Sequence, residues 1–170
     1  MLTIDRCISD VSAFHTKFGI DVNPLDDAAQ YDLRVKRQQE EFDELNDEAK
    51  NSADSADAVI DIIYIAAGTI DLLKDRNGLP GEDHIYLQKG RLVQIFNKLV
   101  TEWKALPLVA LWEEVHSANM RKERGTEGTS KYGNKYDIVK PLGWTPPNIA
   151  KVLEDNGLDP LSAPGTYLNV

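Results

Sequence analysis

The sequence predicts an all-α helical bundle with strands absent or marginal, and three observations predict it. Apolar residues recur at helical spacing in most of the chain. One segment of about twenty residues, Ala53–Lys74, is nearly continuously apolar without a turn signal, too long for an ordinary strand. Most Gly and all Pro fall between the periodic stretches or at their starts, with only Gly68 and Gly90 inside them.

In chain order, Ile4, Ile8, Val11, Phe14 or His15 and Phe18 mark a first helix, Ile4–Phe18, ended by Gly19. Val22–Asp26, with Pro24, is a linker, and Asp26 or Asp27 can cap a second helix that runs to about Asn51. Its apolar positions, Leu33, Val35, Phe42 and Leu45, are sparse, so its lower half is one-sided and acidic on the other side. Asn51–Ser55 is a short polar break. The third helix, apolar nearly all round, should be central and buried. Asp75–Glu82 reads as a turn. A fourth helix, about Asp83–Leu106, presents Leu87, Leu92, Ile95, Phe96, Leu99 and Trp103 to the core. Pro107 suits the first turn of a fifth helix that reaches about Lys122. Gly125–Gly143 has no period and reads as a loop or mobile segment. Pro146–Asn156 is a short last helix with Gly157 past its end, and Leu158–Val170 is an extended or frayed tail. The expected organisation is a single domain over 1–170, with a core of about 4–122 and a C-terminal loop and short helix over 123–170.

The chain has 170 residues and a net charge of −9, which argues against coating nucleic acid or an anionic membrane. No apolar run reaches the length of a membrane span. The single cysteine, Cys7, and an N-terminus without a signal-peptide layout suit a cytoplasmic protein, in the host cytoplasm if the source is viral. With three His and no Cys pair, a structural zinc site is not expected.

The organising stretch is Arg34–Lys74. Glu40, Glu41, Asp43, Glu44, Asp47 and Glu48 place six carboxylates in nine residues. The apolar helix that follows carries Asp57 and Asp61, four apart and therefore on one face. Buried carboxylates need a partner. If the two helices pack antiparallel, Glu41, Glu44, Asp57 and Asp61 point at one another, and Mg²⁺, with Mn²⁺ as a substitute, is the natural counter-charge. The bland alternative is a solvated acidic face with helix-start aspartates at Asp54 and Asp57. Asp61, two turns into the apolar run, resists it.

At these residues the sequence resembles the all-α NTP pyrophosphohydrolases: the MazG-type enzymes, the dimeric dUTPases and the phosphoribosyl-ATP pyrophosphohydrolases. Glu40-Glu41-x-x-Glu44 looks like the EExxE half of their signature, and Asp57-x-x-x-Asp61-Ile62-Ile63-Tyr64 like the ExxD half. Trp112 to Lys122, Lys140-Pro141 and Pro146-Pro147 are similar to the C-terminal part of the phage and bacterial MazG-like branch, and Phe14-His15 and Phe18-Gly19 fit the same branch. Ala58 stands where ExxD has its glutamate, with Asp57 as the candidate substitute and Asp54 a weaker one. The fourth helix looks like an insertion.

The resemblance implies Mg²⁺-dependent hydrolysis of a ribo- or deoxynucleoside triphosphate to the monophosphate and pyrophosphate by metal-activated water, in nucleotide pool control or house-cleaning. It implies Glu41, Glu44, Asp57 and Asp61 as metal ligands, Glu40 as a ligand or the general base, and a homodimer or homotetramer. Candidate substrate-binding residues are Arg34, Arg37, Lys122, Lys140 and Asn119 for phosphate or sugar, and His15, Phe14 and Phe18 for the base, with His116 a further polar candidate. Asn119 has a second reading as a helix cap. A di-iron bundle would need two Glu-x-x-His pairs, and only Glu113 to His116 forms one. The remaining alternative is a catalytically degenerate or non-enzymatic helical module that binds a protein partner.

Overall fold

The computed structural model describes residues 1–73, 82–125 and 136–169. Among them are six helices: α1 (Ile4–Phe18), α2 (Ala28–Asp43), α3 (Ser52–Leu72), α4 (Glu82–Glu102), α5 (Leu108–Met120) and α6 (Ile149–Asp155). Two short strands, β1 (Glu123–Arg124) and β2 (Ile138–Val139), complete an all-α bundle with a marginal ribbon. No described helix is long and apolar enough to cross a membrane.

Helix α1 has the bounds its periodicity predicts. Thr3 caps its start and Gly19, at φ 61°, ends it in the left-handed conformation that glycine adopts without steric cost. Asp27 caps α2 through the backbone N–H groups of Ala29 and Gln30. Helix α2 does not run on to Asn51 in α form. Glu44–Glu48 is a turn of π-helix, closed by the Ala49 N–H donating to the Glu44 carbonyl at 2.8 Å. Asn51 then caps α3, so the predicted break is shorter and the central helix starts at Ser52.

Helix α3 packs against all five other helices. Ile60, Ile62 and Ile63 are wholly buried, each worth roughly 1.5–3 kcal/mol against exposure. The first N–H groups of a helix have no partner within it. Here those of Ser52 and Ala53 donate to the carbonyls of Ser162 and Pro160 at 2.8 and 3.0 Å. The tail is therefore a series of turns that caps the central helix, not an extended or frayed end.

Helix α4 ends at Glu102, and the turn that follows buries Trp103 and Leu106. Leu87, expected inside, is 63% exposed, and Ile85 occupies the core in its place. Val35 on α2 is likewise 50% exposed. Pro107 precedes α5 and caps it, and Lys122 lies beyond its end. The last helix starts at Ile149, after the two prolines, with Asn148 as its cap. The turn expected at Asp75–Glu82 lies outside the described residues except for Glu82, which opens α4.

The aperiodic segment after α5 contributes more than a loop. Its described ends pair antiparallel, Glu123 with Val139 and Arg124 with Ile138. Gly125 is required there, because a Cβ would lie 2.9 Å from the Asp137 carbonyl oxygen. The ribbon is pinned at three places. Arg124 donates to the Phe18 carbonyl at 2.6 Å, Tyr136 to Asp27 at 2.8 Å, and Arg37 to Asp137 at 2.7 Å.

Candidate functional site

Helices α2 and α3 run antiparallel. Glu41 lies close enough to Asp61 to feel its charge, and seven residues away on each helix Arg34 lies over Gly68. Between them and α1, with the ribbon as a further wall, is a cavity of about 130 Å³. Glu41 and Asp61 stand at one end of it; Arg34, His15 and Phe14 line another part. A second, open recess is lined by Glu44, Asp57, Asp54, Asp47 and Glu48. The four predicted ligands thus form a ridge between two recesses, with Glu41 and Asp61 on one flank and Glu44 and Asp57 on the other.

The ridge is electrostatically costly. Burial pushes the Glu41 carboxyl up to about 9, helped by the charges of Asp61, Glu44 and Asp57. Burial also raises Asp57, to about 7, with Asp61 and Glu44 adding to it and Lys140 and Lys122 opposing. Asp61 is raised as well, first by burial, and Lys122 is the largest influence against that. Like charges that share a desolvated place cannot all ionise unaided. Asp57 Oδ1 is buried with no hydrogen-bond partner among the described residues. An orphaned anionic oxygen of this kind marks a place where a cation fits. The donors are hard oxygens, the type Mg²⁺ takes. Among the described residues, however, no three His, Cys, Asp or Glu side chains converge as a finished metal site, in keeping with their division between two flanks.

Ala58 is 2% exposed and packed away, while Asp57, one residue earlier, stands on the ridge. The face of α3 toward the ridge therefore carries the pair four apart. Glu40, next to Glu41, lies 3.9 Å from Arg37.

The predicted cations divide. Lys122 and Lys140 both come to the ridge, where their charges act on Asp57 and Asp61. Both also lie over the Trp144 ring, 5.5 and 4.8 Å from its centroid. Trp144 is itself fixed by its indole N–H, which donates to the Ala118 carbonyl at 2.9 Å. Arg37 lines the cavity but is engaged by the buried Asp137. Asn119 is not the helix cap, which is Arg121. It is buried and lines the cavity, as Tyr64 does.

Of the aromatic candidates, Phe14 reaches the cavity. Phe18 does not line it and packs edge-on against Phe14, with centroids 4.7 Å apart. His15 is 2% exposed, and both ring nitrogens are taken by Arg34 and Asp71. It is therefore a support for Arg34 and does not offer its edge to a base. His116 stacks on Trp112 and meets the Tyr64 hydroxyl outside the cavity lining.

Tyr64, Asp71, Gly68, Tyr136, Asp137 and Trp144 were not singled out as site residues from the sequence. Tyr64 has a signal, since it lies three residues after Asp61 and shares its face. Asp71 has one too, as a third aspartate in an apolar helix. The others are brought in by long-range packing.

No family model, curated protein or solved structure matches this chain.

Proposed function

We propose that this chain is a Mg²⁺-dependent nucleoside triphosphate pyrophosphohydrolase that releases pyrophosphate and a nucleoside monophosphate. The observation that carries the reading is the ridge. Glu41, Asp57 and Asp61 hold raised carboxyls beside an orphaned Asp57 oxygen, and Lys122 and Lys140 act on the same group. An acidic cluster faced by lysines suits a ligand that brings both divalent cations and polyanionic charge.

Glu41, Glu44, Asp57 and Asp61 would hold the metal. When bound, it would neutralise phosphate charge and acidify a water molecule. Lys122 and Lys140 take phosphate oxygens, positioned by the Trp144 ring between ridge and solvent. Glu40, held by Arg37 next to Glu41, would receive a proton from the attacking water. Asn119 and Tyr64 offer neutral polar groups to the sugar. Phosphoryl chemistry needs little covalent help, so placement and charge carry it. The expected homo-oligomer has a candidate face in the groove lined by Tyr31, Val35, Phe42, Leu73 and Leu92.

One observation favours a second reading. Among the described residues no three acidic side chains form a finished metal site, as a degenerate enzyme or a helical binding module would leave them. The test is pyrophosphate release from a panel of canonical and modified NTPs and dNTPs with Mg²⁺ or Mn²⁺. The expected result is release from one or a few substrates, cut at least about 100-fold by Glu44→Gln or Asp61→Asn. No release from any substrate, and no rise in Tm with nucleotide and Mg²⁺, would favour the binding module.

A further inference from the structure

Arg34 is held in a way that no other cation of the cavity is. Its Nη2 donates to His15 Nε2 at 2.9 Å, and His15 Nδ1 lies 2.7 Å from Asp71 Oδ2. A guanidinium only donates, so His15 Nε2 must accept. The proton then sits on Nδ1, which donates to Asp71. This makes a directed chain from Asp71 through a neutral His15 to Arg34. The guanidinium rests over Gly68, where a Cβ would come within 2.8 Å of Nη1. The Arg34 Nε is buried with no partner among the described residues. A fixed cation with an unmet donor, on a cavity wall, points to a ligand that accepts.

Position says which part of the ligand. Arg34 and Glu41 are seven residues apart, about 10 Å along α2. The phosphate-binding lysines are at the Glu41 end. Val11 lies beside Gly68 with Arg34, and the cavity wall also carries the apolar Phe14, Ile20 and Leu33. A triphosphate anchored on the ridge would extend its base, not its phosphates, to this end.

We propose that Arg34, positioned by the Asp71–His15 pair and by Gly68, reads the base and selects those that present ring-carbonyl acceptors. Guanine offers two adjacent acceptors to such a donor, and uracil or thymine offers carbonyl oxygens. Adenine sets an amino donor beside its acceptor, so a donor would face a donor. The inference rests on the nucleotide reading above and names the substrate class of that same site.

The experiment is calorimetric titration with GMP, UMP, AMP and inorganic triphosphate, each with Mg²⁺. The proteins are the wild type, Arg34→Met and Gly68→Ala, each checked for fold by circular dichroism. In the wild type, GMP or UMP should bind about tenfold or more tighter than AMP. Arg34→Met should flatten that ratio. Gly68→Ala should reduce it too, because it moves the guanidinium without removing it, an effect that general loosening of the fold does not produce. Equal binding of all three nucleotides by the wild type overturns the proposal, as does a ratio that survives in both variants. Binding of triphosphate with no nucleotide preference sinks the base reader and leaves the phosphate site standing. No binding of any probe sinks both.

Discussion

At one end of the α2–α3 pair, Asp71, His15 and Arg34 are joined in a buried chain of hydrogen bonds between complementary groups, with the Arg34 Nε left without a partner among the described residues. Seven residues along, Glu41, Asp57 and Asp61 crowd like charges and leave an oxygen orphaned. The helices and the cavity are the same, but the electrostatic logic is opposite. Complementary groups hold one another in a fixed shape, and crowded like charges are stable only with something from outside. On the reading proposed above, the first end recognises and the second binds charge.

The sharpest way to break the comparison is to mutate both ends and watch stability. His15→Ala leaves Arg34 and Asp71 without their shared partner and should cost about 3 kcal/mol, a fall in Tm of roughly 6–12 °C. Asp61→Asn removes one repelling charge from the ridge. Without metal it should raise Tm by roughly 3 °C, about 1 kcal/mol, while activity is lost. Thermal melts in EDTA check both. Losses at both ends would mean that the ridge is an ordinary packed face.

A pH series sharpens the same contrast. The folded chain keeps a proton on Asp57 up to about 7 and on Glu41 up to about 9, whereas unfolded carboxyls release theirs near 4. Between these values the folded state binds more protons, so metal-free stability should fall as pH rises from about 5 to 9. Mg²⁺ competes with those protons, so the rise in Tm that it causes should be larger at pH 8 than at pH 6. Melts at the two pH values, with and without Mg²⁺, measure it. A Mg²⁺ effect independent of pH would remove the ridge as its binding place.

The smallest effect is expected at Trp144. Each lysine–ring contact is worth about 0.5–1 kcal/mol. Trp144→Leu should therefore raise KM about three- to tenfold, with kcat nearly unchanged, in a steady-state assay. A fall in kcat alone would show that the lysines act on the transition state and not on substrate binding.

Much of the fold was legible because helical periodicity is local. Helix α1 was read to its ends because its apolar spacing starts at Ile4 and Gly19, its C-terminal cap, is the next residue after Phe18. The central place of α3 followed from an apolar surface too wide for one partner. The misreadings fell where several faces compete. Leu87 and Val35 are apolar at plausible spacings, yet the rotation of each helix was decided by which neighbours it met. The end of α2 was overrun because a π-turn leaves no pattern in composition.

The site divides in the same way. Glu41, Glu44, Asp57 and Asp61 were legible because spacings of three and four residues put side chains on one helix face, whatever the rest of the chain does. The amino-acid sequence by itself determined an all-α chain with two acidic faces on adjacent helices, one of them in an apolar setting. Only the tertiary structure decided that the ridge divides two recesses, that His15 supports Arg34, and that an aperiodic segment brings Tyr136 and Asp137 to the wall. Those contacts join residues up to about a hundred positions apart, and such pairings depend on which surfaces fit one another, for which no local spacing exists.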